Sequence, residues 1–133
     1  MVIIKNQSIQ LTRGDYASLV FIAEEYNPDT KQYGMYELQE GDKVRFQLGK
    51  KYGTPLITKE KVKRSGETTA DDYTIETEAE DTKDLKFGDY VYDVSLIVNQ
   101  DECCTYIGAD TENQPTFTIL QEVGASDVGA SDE

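Results

Sequence analysis

The sequence predicts an all-β fold, an antiparallel β-sandwich of about 7–9 short strands. Three observations carry this. Apolar and polar residues alternate with a period of two through most of the chain. Gly, Asn and Asp clusters interrupt that alternation at short spacing. Lastly, no segment of roughly 11 or more residues sustains the i, i+3, i+4 stripe of an amphipathic helix.

The strands follow in order. Ser8–Thr12 reads as an edge strand, and Arg13-Gly14-Asp15 as the turn that leads out of it. Tyr16–Glu24 alternates so that Ala17, Leu19, Phe21 and Ala23 share a face. Glu24–Glu37 is expected to be a long loop. After the turn Glu40-Gly41-Asp42 comes Asp42–Leu48, with Val44, Phe46 and Leu48 inward and Lys43, Arg45 and Gln47 outward. Pro55–Lys61 reads as a second edge strand, its proline tolerated at the strand start. Asp72–Glu78 places Tyr73, Ile75 and Thr77 on one face, and Ala79–Lys86 has room for a single helical turn. In Asp89–Val98 the residues Tyr90, Tyr92, Val94, Leu96 and Val98 share a face. Asn99-Gln100-Asp101-Glu102 is a four-residue hairpin loop, and Cys103–Ile107 and Thr116–Leu120 complete the set.

One local pattern narrows the fold. Asp84-Leu-Lys-Phe-Gly88-Asp-Tyr90-Val-Tyr92 has the layout of a tyrosine corner, with Asp84, Gly88 and Tyr90 as its structural residues. There a tyrosine hydroxyl caps a turn while its ring closes one end of the core. The predicted fold is therefore immunoglobulin-like, and with Tyr92 where such domains often carry a cysteine, no inter-sheet disulfide is expected.

The chain has 133 residues, enough for one domain, and 38% of them are hydrophobic. Residues 1–122 form the predicted sandwich. Residues 123–133 form an acidic, low-complexity tail in which Gly124-Ala-Ser-Asp127 recurs as Gly129-Ala-Ser-Asp132. Such a tail has too little apolar surface to fold alone.

Charge and residue types exclude several functions. Thirteen basic residues against 26 acidic ones give −13, which repels nucleic acid and anionic membrane. No apolar run approaches the ~18 residues of a membrane span. Met-Val-Ile-Ile-Lys at the start has neither the basic lead nor the apolar stretch of a signal peptide, so a cytosolic site of synthesis is expected. With no histidine, the commonest general base and transition-metal ligand is missing, and no nucleophile–base pair or Gly-rich phosphate loop is visible. The carboxylate pairs Asp71/Asp72 and Asp101/Glu102 fall in predicted turns. No enzyme activity, cofactor, metal site or small-molecule substrate is expected.

The remaining candidates are contact residues. From Lys43 to Arg64 lie Lys43, Arg45, Lys50, Lys51, Lys59, Lys61, Lys63 and Arg64 against the single acid Glu60, so this segment is +7 and the rest of the chain −20. If its two strands are neighbours they form a basic ribbon. That ribbon either protects a sheet edge or docks an acidic partner. The Glu24–Glu37 loop holds Tyr26, Tyr33, Met35 and Tyr36, residue types favoured at contact surfaces, although the loop can equally shield one end of the sandwich. Vicinal Cys103 and Cys104 are read as packing residues, one facing the core and one not. Arg13-Gly14-Asp15 spells an integrin-binding tripeptide, but a glycine turn entering a strand is the simpler account.

The runs Leu11-Thr-Arg-Gly-Asp-Tyr-Ala-Ser-Leu-Val-Phe21, Tyr36-Glu-Leu-Gln-Glu-Gly-Asp-Lys-Val-Arg-Phe46 and Glu80-Asp-Thr-Lys-Asp-Leu-Lys-Phe-Gly-Asp-Tyr-Val-Tyr-Asp-Val94 together resemble the N-terminal domain of phage baseplate upper proteins. The resemblance spans about residues 7–120. It implies a small β-sandwich that attaches receptor-binding parts to a phage tail, made in a bacterial cytoplasm and carried in the virion. The expected partners are other virion proteins and further copies of the chain, in a homo-oligomer or multi-copy assembly, with no nucleic acid and no membrane. Family members commonly continue into further domains, whereas this chain runs into the Gly-Ala-Ser-Asp repeat, so capsid decoration stands beside tail attachment. Two rivals of another class are a glycan-binding module and an acidic cytosolic inhibitor or regulator.

Overall fold

A computed structural model describes residues 2–3, 8–98, 101–107 and 115–121, with side chains described at 8–98, 105, 107 and 115–121. The acidic tail 123–133 and Asn99 and Gln100 of the expected hairpin loop lie outside the described residues, while Asp101 and Glu102 of that expected loop belong to a strand. The strands are β1 (Val2–Ile3), β2 (Ile9–Thr12), β3 (Ala17–Val20), β4 (Glu24–Asn27), β5 (Gln32–Met35), β6 (Lys43–Gly49), β7 (Pro55–Val62), β8 (Thr74–Thr77), β9 (Gly88–Val98), β10 (Asp101–Ile107) and β11 (Thr116–Leu120). A 3-10 turn at Ala70–Tyr73 and one turn of helix, α1 (Ala79–Thr82), are the other regular elements. The fold is all-β.

The long strand β9 organises the larger layer. β6 pairs antiparallel along one of its edges and β7 lies outside β6. Along the other edge, β10 takes one half of β9 and β11 the other, with β2 outside β11. β2 runs parallel to β11, which departs from the purely antiparallel sandwich the sequence predicts. Alternation sets the inner face: Val44, Phe46 and Leu48 of β6 and Tyr90, Tyr92, Val94 and Leu96 of β9 are all buried.

The opposite layer consists of two smaller sheets, β3–β8 and β1–β4–β5. They are joined through the continuous stretch from β3 to β4. The Phe21 N–H donates to the Tyr73 carbonyl at 3.1 Å, and the Tyr36 N–H to the Ala23 carbonyl at 2.8 Å. The stretch is thus flanked first by β8 and then by β5. Phe21 carries the contact between layers: its ring stacks on Phe46 at 5.7 Å with 10° between planes. Tyr92 and Phe117 complete this aromatic centre, with Phe46–Tyr92 at 5.6 Å and Tyr92–Phe117 edge-on at 6.3 Å.

Glu24–Glu37 is a β-hairpin rather than the expected loop. β4 pairs with β5 from Glu24↔Met35 to Asn27↔Gln32. Asn27 builds its turn, the side-chain oxygen accepting the Asp29 N–H at 2.8 Å and the backbone carbonyl the Lys31 N–H at 2.8 Å. Lys31 closes the turn in the left-handed conformation, φ 58°. This turn has no glycine, and β4 alternates only between half-buried and exposed positions with Tyr26 its one apolar residue, so the sequence pattern hides both strands.

Two corners shape the turns, one local to the start of β9 and one linking distant segments. The Tyr90 hydroxyl donates to the Lys86 carbonyl at 2.7 Å, and Gly88 between them adopts φ 129°, which a side chain would strain. At the β2–β3 turn, Gly14 (φ 86°) donates its N–H to the Thr82 hydroxyl of α1 at 2.9 Å.

Candidate docking surfaces

The eight cations between Lys43 and Arg64 do not form one ribbon. The antiparallel register sets Val44 opposite Lys61 and Phe46 opposite Lys59, while Lys43 faces Val62 and Arg45 faces Glu60. Directly opposed residues share a face, so Lys59 and Lys61 lie on the core side at the rim of β7, and Lys43 and Arg45 lie on the outer face. The expected basic ribbon is therefore split between two sides of the sheet.

The chain's own acids and carbonyls engage Lys43, Lys50, Lys59 and Lys63. Lys59 Nζ sits 3.1 Å from Asp81 Oδ2, linking β7 to α1 across the layers. Lys43 Nζ lies 3.7 Å from Glu60, a surface pair of small value. Lys50 Nζ donates to the Asp89 carbonyl at 3.3 Å and lies 4.2 Å from the centre of the Tyr90 ring. Arg45 is half-buried. Lys61 and Arg64 are exposed.

Lys63 is a correction to the docking set. Only 3% of it is exposed, and its ammonium donates to the Glu67 carbonyl at 2.8 Å and to Asp72 Oδ2 at 2.9 Å. Its backbone is held as well, the N–H donating to the Asp42 carbonyl at 2.7 Å. Burial pushes the Asp72 carboxyl up, but the Thr69 N–H and the Lys63 ammonium outweigh it, so the net shift is below the ordinary carboxylate value. Lys63 is a structural cation and unavailable to a partner.

The tyrosine segment divides in the same way. Tyr26 and Tyr33 face each other across the β4–β5 ladder, with ring centres 5.0 Å apart and planes 56° apart. Tyr33 is exposed on the hairpin surface and Tyr26 half-buried beside it. Met35 and Tyr36 instead pack against the core, and the Tyr36 carbonyl accepts the Tyr73 hydroxyl at 2.6 Å. Burial raises the Tyr73 pKa, keeping that hydroxyl protonated. Of the four candidate contact residues, Tyr26 and Tyr33 are surface features, and Met35 and Tyr36 close the end of the sandwich.

Arg13-Gly14-Asp15 is a structural turn. Arg13 is 6% exposed, its guanidinium lying 4.0 Å over the Phe87 ring and donating to the Leu85 carbonyl at 3.3 Å. A partner seeking that arginine would find it turned inward. Cys103 falls where the β10 register slips between Glu102 and Cys104, so simple alternation does not assign the two cysteines to faces, and both side chains lie outside those described.

Two exposed features escaped the sequence reading. The β6–β7 connection is a tight turn closed by the Gly53 N–H on the Lys50 carbonyl at 2.9 Å, with Tyr52 in the left-handed conformation at φ 64°. That position usually holds glycine or asparagine. Here it projects a tyrosine into solvent. On the opposite layer, Tyr16, Val20 and Ile22 form an exposed stripe on the outer side of the β3 stretch. The alternation that buries Phe21 and Ala23 already implied this stripe.

Among the described residues, no group of three or more His, Cys, Asp or Glu is arranged to hold a metal, and no helix is long and apolar enough to cross a membrane. Compared with protein-family models, curated proteins and solved structures, the chain matches none.

Proposed function

We propose that the chain is a non-enzymatic structural component of a tailed-phage virion, an immunoglobulin-like domain of the tail or baseplate that acts by protein–protein docking. The observation that carries this reading is the resemblance of three runs, Leu11–Phe21, Tyr36–Phe46 and Glu80–Val94, to the N-terminal domain of phage baseplate upper proteins. The fold supports it by giving those runs a shared structural job. Gly14 of the first bonds Thr82 of the third, Arg13 covers Phe87, and Phe21 stacks on Phe46 of the second. The tyrosine-corner bond from Tyr90 to Lys86 supports the immunoglobulin-like part of the reading.

Docking then falls to exposed apolar and aromatic residues rather than to a basic ribbon. The partners are other virion proteins and further copies of the chain, and synthesis takes place in the bacterial cytoplasm. Capsid decoration is the same mechanism at another place on the particle. Immunogold electron microscopy of particles from a lysate expressing the chain tests this. Gold at the tail end supports tail or baseplate attachment, gold over the capsid supports decoration, and unlabelled particles with protein in the lysate overturn the virion reading in favour of a cytosolic regulator.

A second reading, a glycan-binding module, is favoured by one observation. Tyr26 and Tyr33 form a paired aromatic surface on the β4–β5 hairpin. Retention on a glycan array that disappears with Tyr33→Ala would establish it.

A further inference from the structure

We propose that the chain carries the two halves of a head-to-tail contact between its own copies: the β6–β7 tip, with Lys51 and Tyr52, docks on the Tyr16–Val20–Ile22 stripe of a second copy beside Glu76 and Glu78. This deepens the assembly reading and rests on it for its biological setting, though the contact itself needs nothing but the chain.

The tip is built to project. Tyr52 is 86% exposed, and it occupies a left-handed backbone position that opposes a tyrosine's intrinsic preference. Four residues further along the chain, Leu56 is 51% exposed, at the point where the β6–β7 register slips between Leu48↔Ile57 and Gly49↔Pro55. Lys51 holds its ammonium 5.5 Å from the centre of the Tyr52 ring, so the tip combines an aromatic face, an aliphatic side chain and a positive charge. Tyrosine is among the residue types enriched at the energetic centres of protein contacts, and the lysine beside it supplies charge for orientation.

The stripe has the complementary chemistry. Tyr16, Val20 and Ile22 are 60%, 51% and 39% exposed, and all three lie on the outer side of a stretch whose inner side is Leu19, Phe21 and Ala23. The β3–β8 register places Glu76 opposite Ser18, between the positions of Tyr16 and Val20, and Glu76 and Glu78 are both exposed. The negative field is felt locally: the Tyr16 hydroxyl is raised above its ordinary pKa, first by its hydrogen bond with Glu76 and then by its partial burial and the charges of Glu76 and Glu78. A cationic aromatic tip and an acidic apolar stripe match in both charge and polarity.

One molecule cannot close this contact on itself. The tip belongs to the larger sheet, whereas the stripe looks outward from the opposite layer. Two different patches meeting across copies make a heterologous contact, which propagates into a ring or an open row. A single turn buries far less than the roughly 1,600 Å² of a standard interface, so each contact is weak and gains strength only when copies already sit side by side. That suits a multi-copy assembly on a particle and a soluble chain off it.

The test uses the purified full chain. A benzophenone amino acid is placed at Tyr52, and the protein is irradiated over a range of concentrations. The expected product is a crosslinked dimer whose yield rises with concentration and whose adduct maps to residues 15–23. Lys51→Glu and Glu76→Lys each reduce the yield several-fold, and the two together in one chain restore it, because every contact then pairs a reversed tip with a reversed stripe. Absence of a concentration-dependent dimer, an adduct mapping elsewhere, or failure of the double reversal to restore the yield overturns the contact. The readout is independent of particles. Crosslinking in solution with no gold on virions would therefore keep the contact and sink the virion reading, and the opposite pattern would do the reverse.

Discussion

The ammonium of Lys63 lies 2.9 Å from a carboxylate oxygen of Asp72, and the same oxygen accepts the Thr69 N–H at 2.9 Å. This pair pins the end of β7 to the 3-10 turn that precedes β8. It joins the edge of the larger sheet to the opposite layer where no ladder does.

Removing one member of that pair leaves the other charge in poor solvent. Lys63→Met, which keeps the apolar stem, is expected to destabilise the fold by about 3 kcal/mol, the low end for breaking a buried pair because Asp72 sits partly at the rim. Urea unfolding followed by tyrosine fluorescence measures this. A change below about 0.5 kcal/mol would be the behaviour of an exposed surface pair and would contradict the assignment.

The same pair sets an acid limit. The Asp72 carboxyl titrates below its ordinary 3.8, so its contribution is fully present above 3.8 and is lost as pH falls through the lower folded value. Asp72→Asn should lower stability at neutral pH and flatten the loss of stability below about pH 4. Thermal unfolding at stepped pH reads both effects, and an unchanged acid slope would sink the assignment.

Tyr73 gives the opposite sign. Burial raises its hydroxyl above 10.0, so its contribution is complete below pH 10.0 and is lost as the pH rises further. Tyr73→Phe forfeits the bond to the Tyr36 carbonyl, at a cost of about 1 kcal/mol, and should remove part of the alkaline destabilisation. Tyr90→Phe is expected to cost a similar ~1 kcal/mol through the lost bond to Lys86.

The β6–β7 tip offers a pair of substitutions with opposite effects. A Cβ at Gly49 would meet the Thr54 carbonyl oxygen at 2.9 Å, so Gly49→Ala should destabilise the hairpin. Tyr52→Gly relieves the left-handed strain and should stabilise the fold by about 1 kcal/mol, while deleting the exposed ring. Measured melting temperatures that move in the same direction for both would refute this account of the turn.

Arg13→Ala should cost about 2 kcal/mol, because it removes a buried guanidinium from Phe87 and Leu85. Integrin-bearing cells should show no adhesion to the wild-type chain that a soluble Arg-Gly-Asp peptide can compete away.

β6 and the first half of β9 were legible because one face is buried, and alternation records that directly; toward the end of β9, Ser95 and Ile97 on the other face are buried as well. Val44, Phe46 and Leu48 in β6 and Tyr90, Tyr92, Val94 and Leu96 in β9 lie where their period of two places them. The tyrosine pattern before β9 marks a turn that needs only local residues. The β4–β5 hairpin was hidden because Glu24–Asn27 and Gln32–Met35 bury no residue fully, and the half-buried positions of β4 include the polar Glu24.

Alternation thus determined that the chain is all-β and which residues of β6 and of the first half of β9 face inward, since that information is local and repeats every second residue. The fate of the cations was a matter of tertiary structure. The Lys50–Gly53 turn and the slip at Leu56 set a register that sends Lys59 and Lys61 to one side of the sheet and Lys43 and Arg45 to the other. Burial of Lys63 depended on where Asp72, nine residues later, came to rest. Register and long-range pairing arise from how separate segments meet, and no single strand encodes that.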